Sequence, residues 1–438
     1  MVSSGLLLPA LLQWNVSFTR RGSGTGVLSS AKNKRLALIS HDLSQSGSPL
    51  LLVETAVRLR EAGADVQLVT LAGDADEDSL AARHGIQVVS LAASFARCAD
   101  ADLVIANTAE TASWIRSYLR DHPQSGRTLV WWIHEINARD YADQIPTFAT
   151  VRALIFDSHA SLNAWAATEL AVPPVVRVIH PCVDDRLIAM ALQSRYPYPN
   201  MESPLSRSMR AARRLCRRMG LSRWLPCRAS AFDRATIRRS LGVEPHDYVV
   251  TLVGTFQARK GHALLAETVG RMLEENPSLP LKLLLVGFSD VSQAQRFLTG
   301  VDTTTRRALD PRRLVTVVRN LAPYYAASDA FVMNSQGAGE NFGRVTIEAM
   351  AFKLPVLGTN AGGTVEIVED RVTGLLHRVG AAGQEELAEN ICVLARNREN
   401  GIAMGEAGYR RVRDRFTRPR FDAEFDGLLR DVLTDEPR

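Results

Sequence analysis

The sequence has few cysteines, and no two of them stand at the spacing of a metal-binding CxxC motif. Its 438 residues contain five: Cys98, Cys182, Cys216, Cys227 and Cys392. An odd, scattered set predicts neither a disulfide framework nor a cysteine zinc site. The composition therefore indicates free thiols in a reducing compartment, although a lumenal protein with unpaired cysteines stays open.

Long hydrophobic runs are also missing. The apolar stretch at the amino terminus, MVSSGLLLPALLQWNVSFTRR, is shorter than the roughly 20 residues that span a bilayer and contains Pro9. It lacks a basic leader and an obvious cleavage site, so a secretory signal is the minority interpretation, in which the sequon Asn15-Val16-Ser17 would matter. We expect a cytoplasmic protein or one peripheral at a membrane, with the secretory-pathway lumen left open.

Lysine is scarce, and the net charge is small. The formal charge is +5, and the five lysines stand at positions 32, 34, 260, 282 and 353, so arginine carries most of the positive charge. A small total charge, with few aromatic residues among the basic ones, argues against nucleic-acid binding. Lys260, within ARKG, stands out because a compact ammonium is suited to phosphate groups.

The length predicts two domains, because 438 residues exceed what one hydrophobic core usually supports. The predicted divisions are a flexible leader over 1–33, a first domain over 34–192, an insert over 193–240, a second domain over 241–414 and a closing helix over 415–438. The GSGTG run at 22–26 follows no strand, so it is assigned to the leader rather than to a dinucleotide loop.

Both domains are predicted to be α/β, with helical periodicity between short apolar runs. The predicted strands of the first domain are RLALIS, DVQLVTL, ADLVIANT, TLVWWIHE, ALIFDSH and VVRVIHP. Those of the second are YVVTLVG, LKLLLVG, LVTVVR, AFVMNS and LPVLGT. Strands that alternate with helices form parallel, doubly wound sheets, and we expect two such halves to face each other.

The insert contains an arginine-rich amphipathic segment over 205–225, LSRSMRAARRLCRRMGLSRWL. Such a segment suits an anionic membrane surface or an acidic partner. The alternative, which we slightly favour, is an excursion between the domains whose apolar face packs on the protein itself.

One motif, GAGENFGRVTIEAMAFKLPVLGT over Gly337–Thr359, carries most of the functional signal. It sets Glu340 and Glu348 around a glycine-rich turn that opens a helix, predicted to begin at Phe342 or Gly343. The free amides and positive dipole end of a helix start attract phosphate. The alternative is a simple acidic cap on an ordinary buried helix. Because β-rich runs flank the motif, we favour the ligand site.

Together with YYAASDAFVMNS before it and PVLGTNAGGTVEIVEDRVTGLL after it, this motif resembles the retaining nucleotide-sugar glycosyltransferases of family 4, which have the GT-B fold. The resemblance is specific over 322–376 and extends more weakly from Lys34 onward. It implies two Rossmann-like domains facing a cleft, with a nucleotide-sugar donor held by the second domain and the acceptor by the first. It also implies that the closing helix over 415–438 crosses back to the first domain.

The resemblance also implies roles for residues near the diphosphate. The loop after the strand that ends at Gly254 would bring Lys260 to the diphosphate, with Arg259 beside it. Thr255 stands where the family commonly has arginine, so Arg259 is the expected substitute. Positive charge is needed here because the departing diphosphate is doubly anionic.

Within the motif, the resemblance implies that Glu340 faces the donor sugar. Glu348 would accept hydrogen bonds from the ribose hydroxyls, for which a carboxylate is a good bidentate partner. The backbone amides expected to contact phosphate and sugar are those of Asn341, Phe342 and Gly343.

Two sites are expected on the first domain. His134, at the end of a strand, matches a family histidine that contacts the sugar across the cleft; a structural histidine is the alternative. Ser46 and Gly47 are predicted to form the loop nearest the diphosphate and acceptor. Ser48 and Pro49 depart from the family's double glycine there, which leaves the backbone path open.

No metal ion or other cofactor is expected. Asp74-Ala75-Asp76 and Asp100-Ala101-Asp102 have the DxD form that other glycosyltransferases use for a divalent ion, but both are assigned to solvated segments. Cys182 stands where the family often has glycine, and we expect inert packing.

The predicted reaction is transfer of a hexosyl group from a UDP- or GDP-linked donor, with retention of anomeric configuration. The acceptor class, whether glycan, lipid or small molecule, stays open, as do donor base and sugar. The alternatives are an epimerase or phosphorylase of the same fold, and a catalytically silent nucleotide-sugar-binding scaffold recruited to membranes.

Overall fold

The computed structural model describes residues 28–43, 47–72, 80–144, 150–168, 173–193, 233–287, 314–315 and 321–433. Several predictions lie outside these residues: the leader up to 27, the arginine-rich segment 205–225, Ser46, the motif at 74–76, Cys216 and Cys227. The remaining predictions can be compared with the structure directly.

The first domain is built on a seven-stranded parallel sheet whose spatial order is β3-β2-β1-β4-β5-β6-β7. The order reverses between β1 and β4, where doubly wound sheets bind ligands. The strands are β1 (Arg35–Ser40), β2 (Asp65–Thr70), β3 (Gln87–Val89), β4 (Leu103–Asn107), β5 (Leu129–Ile133), β6 (Ala153–Phe156) and β7 (Val175–Val178).

The second domain has a six-stranded parallel sheet in the order β10-β9-β8-β11-β12-β13. Its order reverses between β8 and β11, so the two domains repeat one topology. The strands are β8 (Tyr248–Val253), β9 (Leu281–Val286), β10 (Leu314–Val315), β11 (Ala330–Met333), β12 (Val356–Thr359) and β13 (Gly374–His377).

Helices cover the faces of both sheets, which explains why the central strands are buried along their whole length. In the described ranges the α-helices are α1 (Gly47–Glu61), α2 (Leu80–Arg83), α3 (Ser94–Ala99), α4 (Ala112–Asp121), α5 (His159–Ala166), α6 (Asp185–Gln193), α7 (Arg234–Ser240), α8 (His262–Glu275), α9 (Ala322–Ala327), α10 (Arg344–Ala351), α11 (Thr364–Ile367), α12 (Ala381–Arg396), α13 (Arg398–Arg415) and α14 (Arg418–Leu433).

Successive residues of β1 show how the first core is divided. Leu36 and Leu38 join one buried cluster, whereas Ala37 and Ile39 join another, because side chains alternate across a strand. The second domain is likewise packed on both faces of its sheet.

The closing helix α14 returns to the first domain. Phe421 and Phe425 are buried in the first-domain cluster, and Phe421 packs 6.1 Å, centroid to centroid, from Trp132. The guanidinium of Arg58 lies 4.3 Å from the centre of the Phe421 ring. The last helix therefore ties the two domains together.

The chain divides between the domains at different residues from those that we predicted. Leu28 and Ala31, placed in the leader, are buried in the first-domain cluster. Helix α6, placed in the first domain, packs its apolar residues on the second-domain core. Helix α7, placed in the insert, is held to the second domain by ion pairs from Arg234 and Arg238 to the buried Asp329.

The strand predictions agree with the sheets except at their edges. The edge strands β3 and β13 were missed: β3 has only three residues, too few to show a period, and β13 opens on Gly374, a residue type that is uncommon in strands. A search of the described residues finds no helix with the length and hydropathy needed to cross a bilayer.

Candidate active site

The cleft is lined by loops that follow the central strands of the two sheets. In the first domain these are the segments after β1 and β4; in the second they follow β8 and β11. Because all strands are parallel, these four loops lie at the carboxyl edges of the sheets, at their switch points.

Lys260 and Glu340 meet at the second-domain switch point. Lys260 ends a short 3-10 turn after β8, and Glu340 lies on the loop after β11. Their Nζ and Oε2 atoms are 2.5 Å apart, and the Ser335 hydroxyl donates to the same oxygen at 2.8 Å. Residues 80 positions apart are thus brought together, as predicted from the motifs.

The pair is strongly coupled electrostatically. Burial disfavours a charged carboxylate, but Lys260 and Arg259 outweigh burial and lower the pKa of Glu340 to about 2. Burial also lowers the pKa of Lys260, although the negative charge of Glu340 acts to raise it. We treat the pair as ionised at neutral pH, since each charge compensates the other.

Arg259 is the more accessible cation. Its side chain is 51% exposed and its Nη1 lies 3.8 Å from Glu340 Oε2, whereas the Lys260 side chain is 16% exposed. Gly254 leaves room beside the stem of Lys260: its amide donates to Val286 within the sheet, and an added Cβ would lie 3.8 Å from Lys260 Cδ.

The loop of Glu340, Asn341, Phe342 and Gly343, called here the donor loop, leads into α10. The helix begins at Arg344, so the predicted start at Phe342 or Gly343 was one or two residues early. Gly343 has φ +94°, a left-handed conformation that few other residues adopt and that cannot belong to a helix.

A second loop supports the donor loop from behind. The amide of Gly363 donates to the Glu340 carbonyl at 2.7 Å, and an added Cβ on Gly363 would come within 2.0 Å of the Asn341 carbonyl oxygen. Among the loop hydrogen bonds of the described residues, none has the amides of Asn341, Phe342 or Gly343 as donor. These amides suit a phosphate or sugar oxygen.

Glu348 is half-buried on α10, one turn beyond Arg344. Its Oε2 accepts a hydrogen bond from the Tyr325 hydroxyl at 3.0 Å. Burial raises the pKa of Glu348, although Arg344 and the tyrosine oppose this effect. A ribose contact, as predicted, would add to this hydrogen bond.

Arg344 crosses the cleft, and the sequence analysis missed it. Its Nη2 lies 3.0 and 2.9 Å from the two carboxylate oxygens of Glu54 on α1. Its Nη1 is 3.5 Å from the carbonyl of Gly47, at the start of the same helix. Through Gly47, the predicted acceptor loop is therefore joined to α10. Ser46, the other residue predicted for that loop, lies outside the described residues.

His134 is more enclosed than we predicted. Its Nδ1 lies 2.6 Å from Asp157 Oδ2, its Nε2 lies 2.6 Å from Asn107 Oδ1, and the side chain is 6% exposed. Asp157 also accepts from the Trp132 indole at 2.8 Å. Contact between a His134 nitrogen and a sugar requires one of these hydrogen bonds to break.

The same aspartate touches the donor loop. The side-chain Nδ2 of Asn341 donates to Asp157 Oδ2 at 3.3 Å, and the Ser158 hydroxyl donates to the side-chain Oδ1 of Asn341, also at 3.3 Å. The first domain thus contacts the residue directly after Glu340. No sequence signal had marked Asp157 or Ser158.

Glu366 makes a further contact between the domains, with His159 and His180. The three ligand atoms lie within 4.8 Å of one another, and two histidines with a carboxylate can hold zinc. However, Arg420 Nη2 is 3.5 Å from His180 Nδ1, which favours a lone pair there and a proton on Nε2. This geometry fits hydrogen bonding to Glu366 better than metal ligation.

Two other candidates lie away from the donor loop. Asp102, in the second DxD motif, accepts from the Arg35 amide at 2.7 Å, at the amino-terminal edge of the sheet. Cys182 is buried beside Arg58, 3.5 Å from Sγ to Nη1, and burial raises the pKa of its thiol. Both geometries are those of structural groups.

Two protein-family models match the chain. One, described as glycosyl-transferase family 4, matches residues 32–195, and the other, described as glycosyl transferases group 1, matches residues 247–397. The chain belongs to the family 4 glycosyltransferases. The two matches fall on the two domains in order, and they identify the chain as an enzyme.

Two curated relatives of the chain carry the same name. The glycosyltransferase is 27% identical over 369 residues to a D-inositol 3-phosphate glycosyltransferase of Rhodococcus erythropolis, covering 79% of this chain and 80% of the relative. A protein of the same name from Corynebacterium efficiens is 34% identical over 191 residues, 42% of this chain and 43% of the relative. The chain thus spans less than half the length of the second relative.

Solved structures share the whole architecture. Anabaena HepE, in complex with UDP and glucose, superposes with a TM-score of 0.70 and 20% identity, over 91% of this chain and 100% of that one. Sucrose-phosphate synthase from Thermosynechococcus elongatus gives 0.63 and 20%, over 91% and 98%. These similarities establish the fold, and the predicted GT-B architecture is confirmed.

Proposed function

We propose that this glycosyltransferase moves a hexosyl group from a UDP-linked donor to a hydroxyl acceptor, with retention and without a metal ion. The observation that carries the proposal is the Lys260–Glu340 pair at the second-domain switch point, beside donor-loop backbone amides that donate to no described residue. The solved complex of HepE with UDP and glucose supports UDP as the first nucleotide to test. GDP is the alternative nucleotide.

The donor is proposed to rearrange the ion pair. A diphosphate that enters beside Arg259 and Lys260 competes with Glu340 for the ammonium group, because charge-assisted bonds to phosphate are strong. Glu340 is then able to accept hydrogen bonds from the sugar hydroxyls. Glu348 would bind the ribose hydroxyls from α10.

Retention is proposed to follow from attack on the face that the leaving group departs from. The acceptor hydroxyl forms the new bond to the anomeric carbon while the carbon–oxygen bond to the diphosphate breaks. The hydroxyl proton passes to the leaving phosphate oxygen. Glu340 is not proposed as a nucleophile, because Ser335 donates to its Oε2 and its carboxylate is proposed to hold the sugar hydroxyls.

Positive side chains are proposed to replace a metal ion. Arg259 and Lys260 supply two positive charges where the diphosphate charge develops. The acceptor is proposed to bind against the first domain, near Gly47. The relatives' name makes D-inositol 3-phosphate the first acceptor to test.

Peripheral membrane contact through 205–225 stays a prediction. Flotation with anionic lipid vesicles, before and after deletion of these residues, tests it. If the deletion variant floats as well as the full chain, residues 205–225 do not account for membrane contact.

The decisive experiment measures UDP release from UDP-glucose in the presence of EDTA, with D-inositol 3-phosphate and a panel of other acceptors. We expect Lys260→Ala and Glu340→Gln each to reduce kcat/KM by about 100-fold or more. Lys282→Ala, a lysine paired with Asp247, is the control. Unchanged turnover in both site variants would refute the proposal, as would a product of inverted anomeric configuration.

A further inference from the structure

Glu366 of the second domain is inserted into the start of a first-domain helix. Its Oε2 accepts from the His159 amide at 3.0 Å and its Oε1 from the Ala160 amide at 2.8 Å. These amides belong to the first turn of α5, where they have no partner within the helix. A carboxylate at this position is further favoured by the helix dipole.

Two histidines of the first domain complete the contact. His159 Nδ1 lies 3.0 Å and His180 Nε2 lies 2.9 Å from the same Oε2 atom. Burial opposes the charged carboxylate, but these donors outweigh it and lower the pKa of Glu366 to about 2. One side chain of the second domain thus accepts four hydrogen bonds from the first.

His180 also packs on the donor loop. Its ring is stacked on Phe342, 5.3 Å between centroids with an interplanar angle of 23°, and Phe416 lies edge-on at 6.1 Å. The charged group facing its other nitrogen is Arg420. His180 therefore contacts both Glu366 and Phe342, the residue two positions after Glu340.

The backbone links Glu366 to the same loop. Its amide donates to the Gly363 carbonyl at 3.0 Å, and the Gly363 amide donates to the Glu340 carbonyl at 2.7 Å. A displacement of Glu366 from α5 would therefore be passed to Glu340 by two short hydrogen bonds and by the Phe342 stack.

We propose that Glu366 is a positioning residue for glycosyl transfer: by docking into α5, His159 and His180, it holds the donor loop in the orientation that the first domain requires. Because backbone hydrogen bonds join Glu366 to the donor loop within the second domain, loss of the docking contacts shifts the loop relative to the first domain without reshaping the UDP site; Glu366 therefore acts on turnover rather than on UDP affinity. The kinetic part of this inference rests on the proposed use of UDP-glucose.

The test compares Glu366→Ala, Glu366→Gln and a matched control, Glu369→Gln, whose side chain is 55% exposed in the same segment. UDP affinity is measured by titration calorimetry and turnover by UDP release from UDP-glucose. We expect Glu366→Ala to lower kcat at least tenfold with UDP affinity changed less than twofold. Glu366→Gln should recover part of the loss, because one amide oxygen still accepts from α5; the control should match the wild type.

Small-angle scattering of the full chain without donor is the second measurement. We expect a larger radius of gyration for Glu366→Ala than for the wild type and Glu369→Gln, since a main contact between the domains is lost. A kcat within twofold of wild type, or kcat and UDP affinity falling together, would overturn the proposal. If wild type itself releases no UDP, the proposed donor is wrong, and unchanged scattering alone would then overturn the docking role.

Discussion

Arg344 and Glu54 form a two-point ion pair across the cleft, with Nη2 at 3.0 Å from Oε1 and 2.9 Å from Oε2. Arg344 is the first residue of the helix that follows the donor loop, and Glu54 lies midway along α1. Both side chains are largely buried, at 12% and 22% exposed. The pair therefore couples the two domains at the site itself.

Exchange of the two charges should reveal this coupling. We expect Arg344→Glu and Glu54→Arg each to lower the free energy of unfolding by about 2–4 kcal/mol, because each leaves like charges facing one another in a buried place. The double variant should recover about 1–3 kcal/mol of the summed loss. Urea unfolding of all four proteins measures the interaction.

Arg344→Lys is the control for geometry. A lysine keeps the charge but lacks the planar guanidinium, whose Nη2 reaches both oxygens of Glu54 and whose Nη1 reaches the Gly47 carbonyl, so a partial loss is expected. If the stability loss of the double variant equals the sum of the losses of the two single charge-exchange variants, the pair does not couple the domains.

Gly363→Ala should disrupt the donor loop. The new Cβ would lie 2.0 Å from the Asn341 carbonyl oxygen, a distance that forces the backbone to move. We expect UDP affinity to fall at least about tenfold, equivalent to about 1.4 kcal/mol. Titration calorimetry measures the affinity.

Gly337→Ala is the comparison variant, because Gly337 lies in the same segment after β11 as the donor loop but has no atom within 4 Å of an added Cβ; unlike Gly363, it has a positive φ of +67°. It should lose about 1 kcal/mol of stability through backbone strain and keep its UDP affinity. Equal UDP affinities in the two variants would contradict the role given to Gly363.

Tyr325→Phe should weaken donor binding through Glu348. The change removes the hydrogen bond that orients the carboxylate and leaves a buried acceptor with fewer donors. We expect a loss of about 1–2 kcal/mol in stability and a several-fold weaker UDP affinity. Tyr324→Phe, in the same helix, should leave the affinity unchanged; a similar loss in both would assign the effect to α9 as a whole.

Acid should weaken the contact between the domains. The pKa of Glu366 is about 2 in the folded protein, below the ordinary 4.5, so the folded state binds fewer protons than the unfolded state between these values. The stability that the ionised Glu366 carboxylate contributes is fully present above about pH 4.5 and is lost as the pH falls toward 2. Its upper limit is ~3 kcal/mol.

Urea unfolding between about pH 6 and pH 3 checks this dependence. The difference in stability between the wild type and Glu366→Gln should shrink as the pH falls, whereas the difference between the wild type and Glu369→Gln should stay small throughout. A constant difference for Glu366→Gln across the range would contradict the depressed pKa.

The donor half of the site was visible in the sequence because its residues stand in short, contiguous motifs. Lys260 follows β8 within a single loop, and Glu340 and Glu348 are eight positions apart on either side of a helix start. Parallel strands deliver such loops to one edge of the sheet, so the meeting of Lys260 with Glu340 could be predicted.

The contacts between the domains could not be read in this way. Arg344 pairs with a residue 290 positions away, and Glu366 binds groups 186 to 207 positions away. No local spacing marks either partner, because the geometry depends on how the two sheets are placed relative to each other. Likewise, His134 could be located at a strand end, but not its enclosure by Asp157 and Asn107.

The sequence by itself determined the two doubly wound domains, the donor motifs and the closing helix α14, since these depend on local periodicity and turn chemistry. The tertiary structure alone decided which charges compensate one another: Lys260 with Glu340, Arg344 with Glu54, and Glu366 with α5. Burial makes an unpaired charge costly, so these partners are chosen by proximity in the folded protein and not by order along the chain.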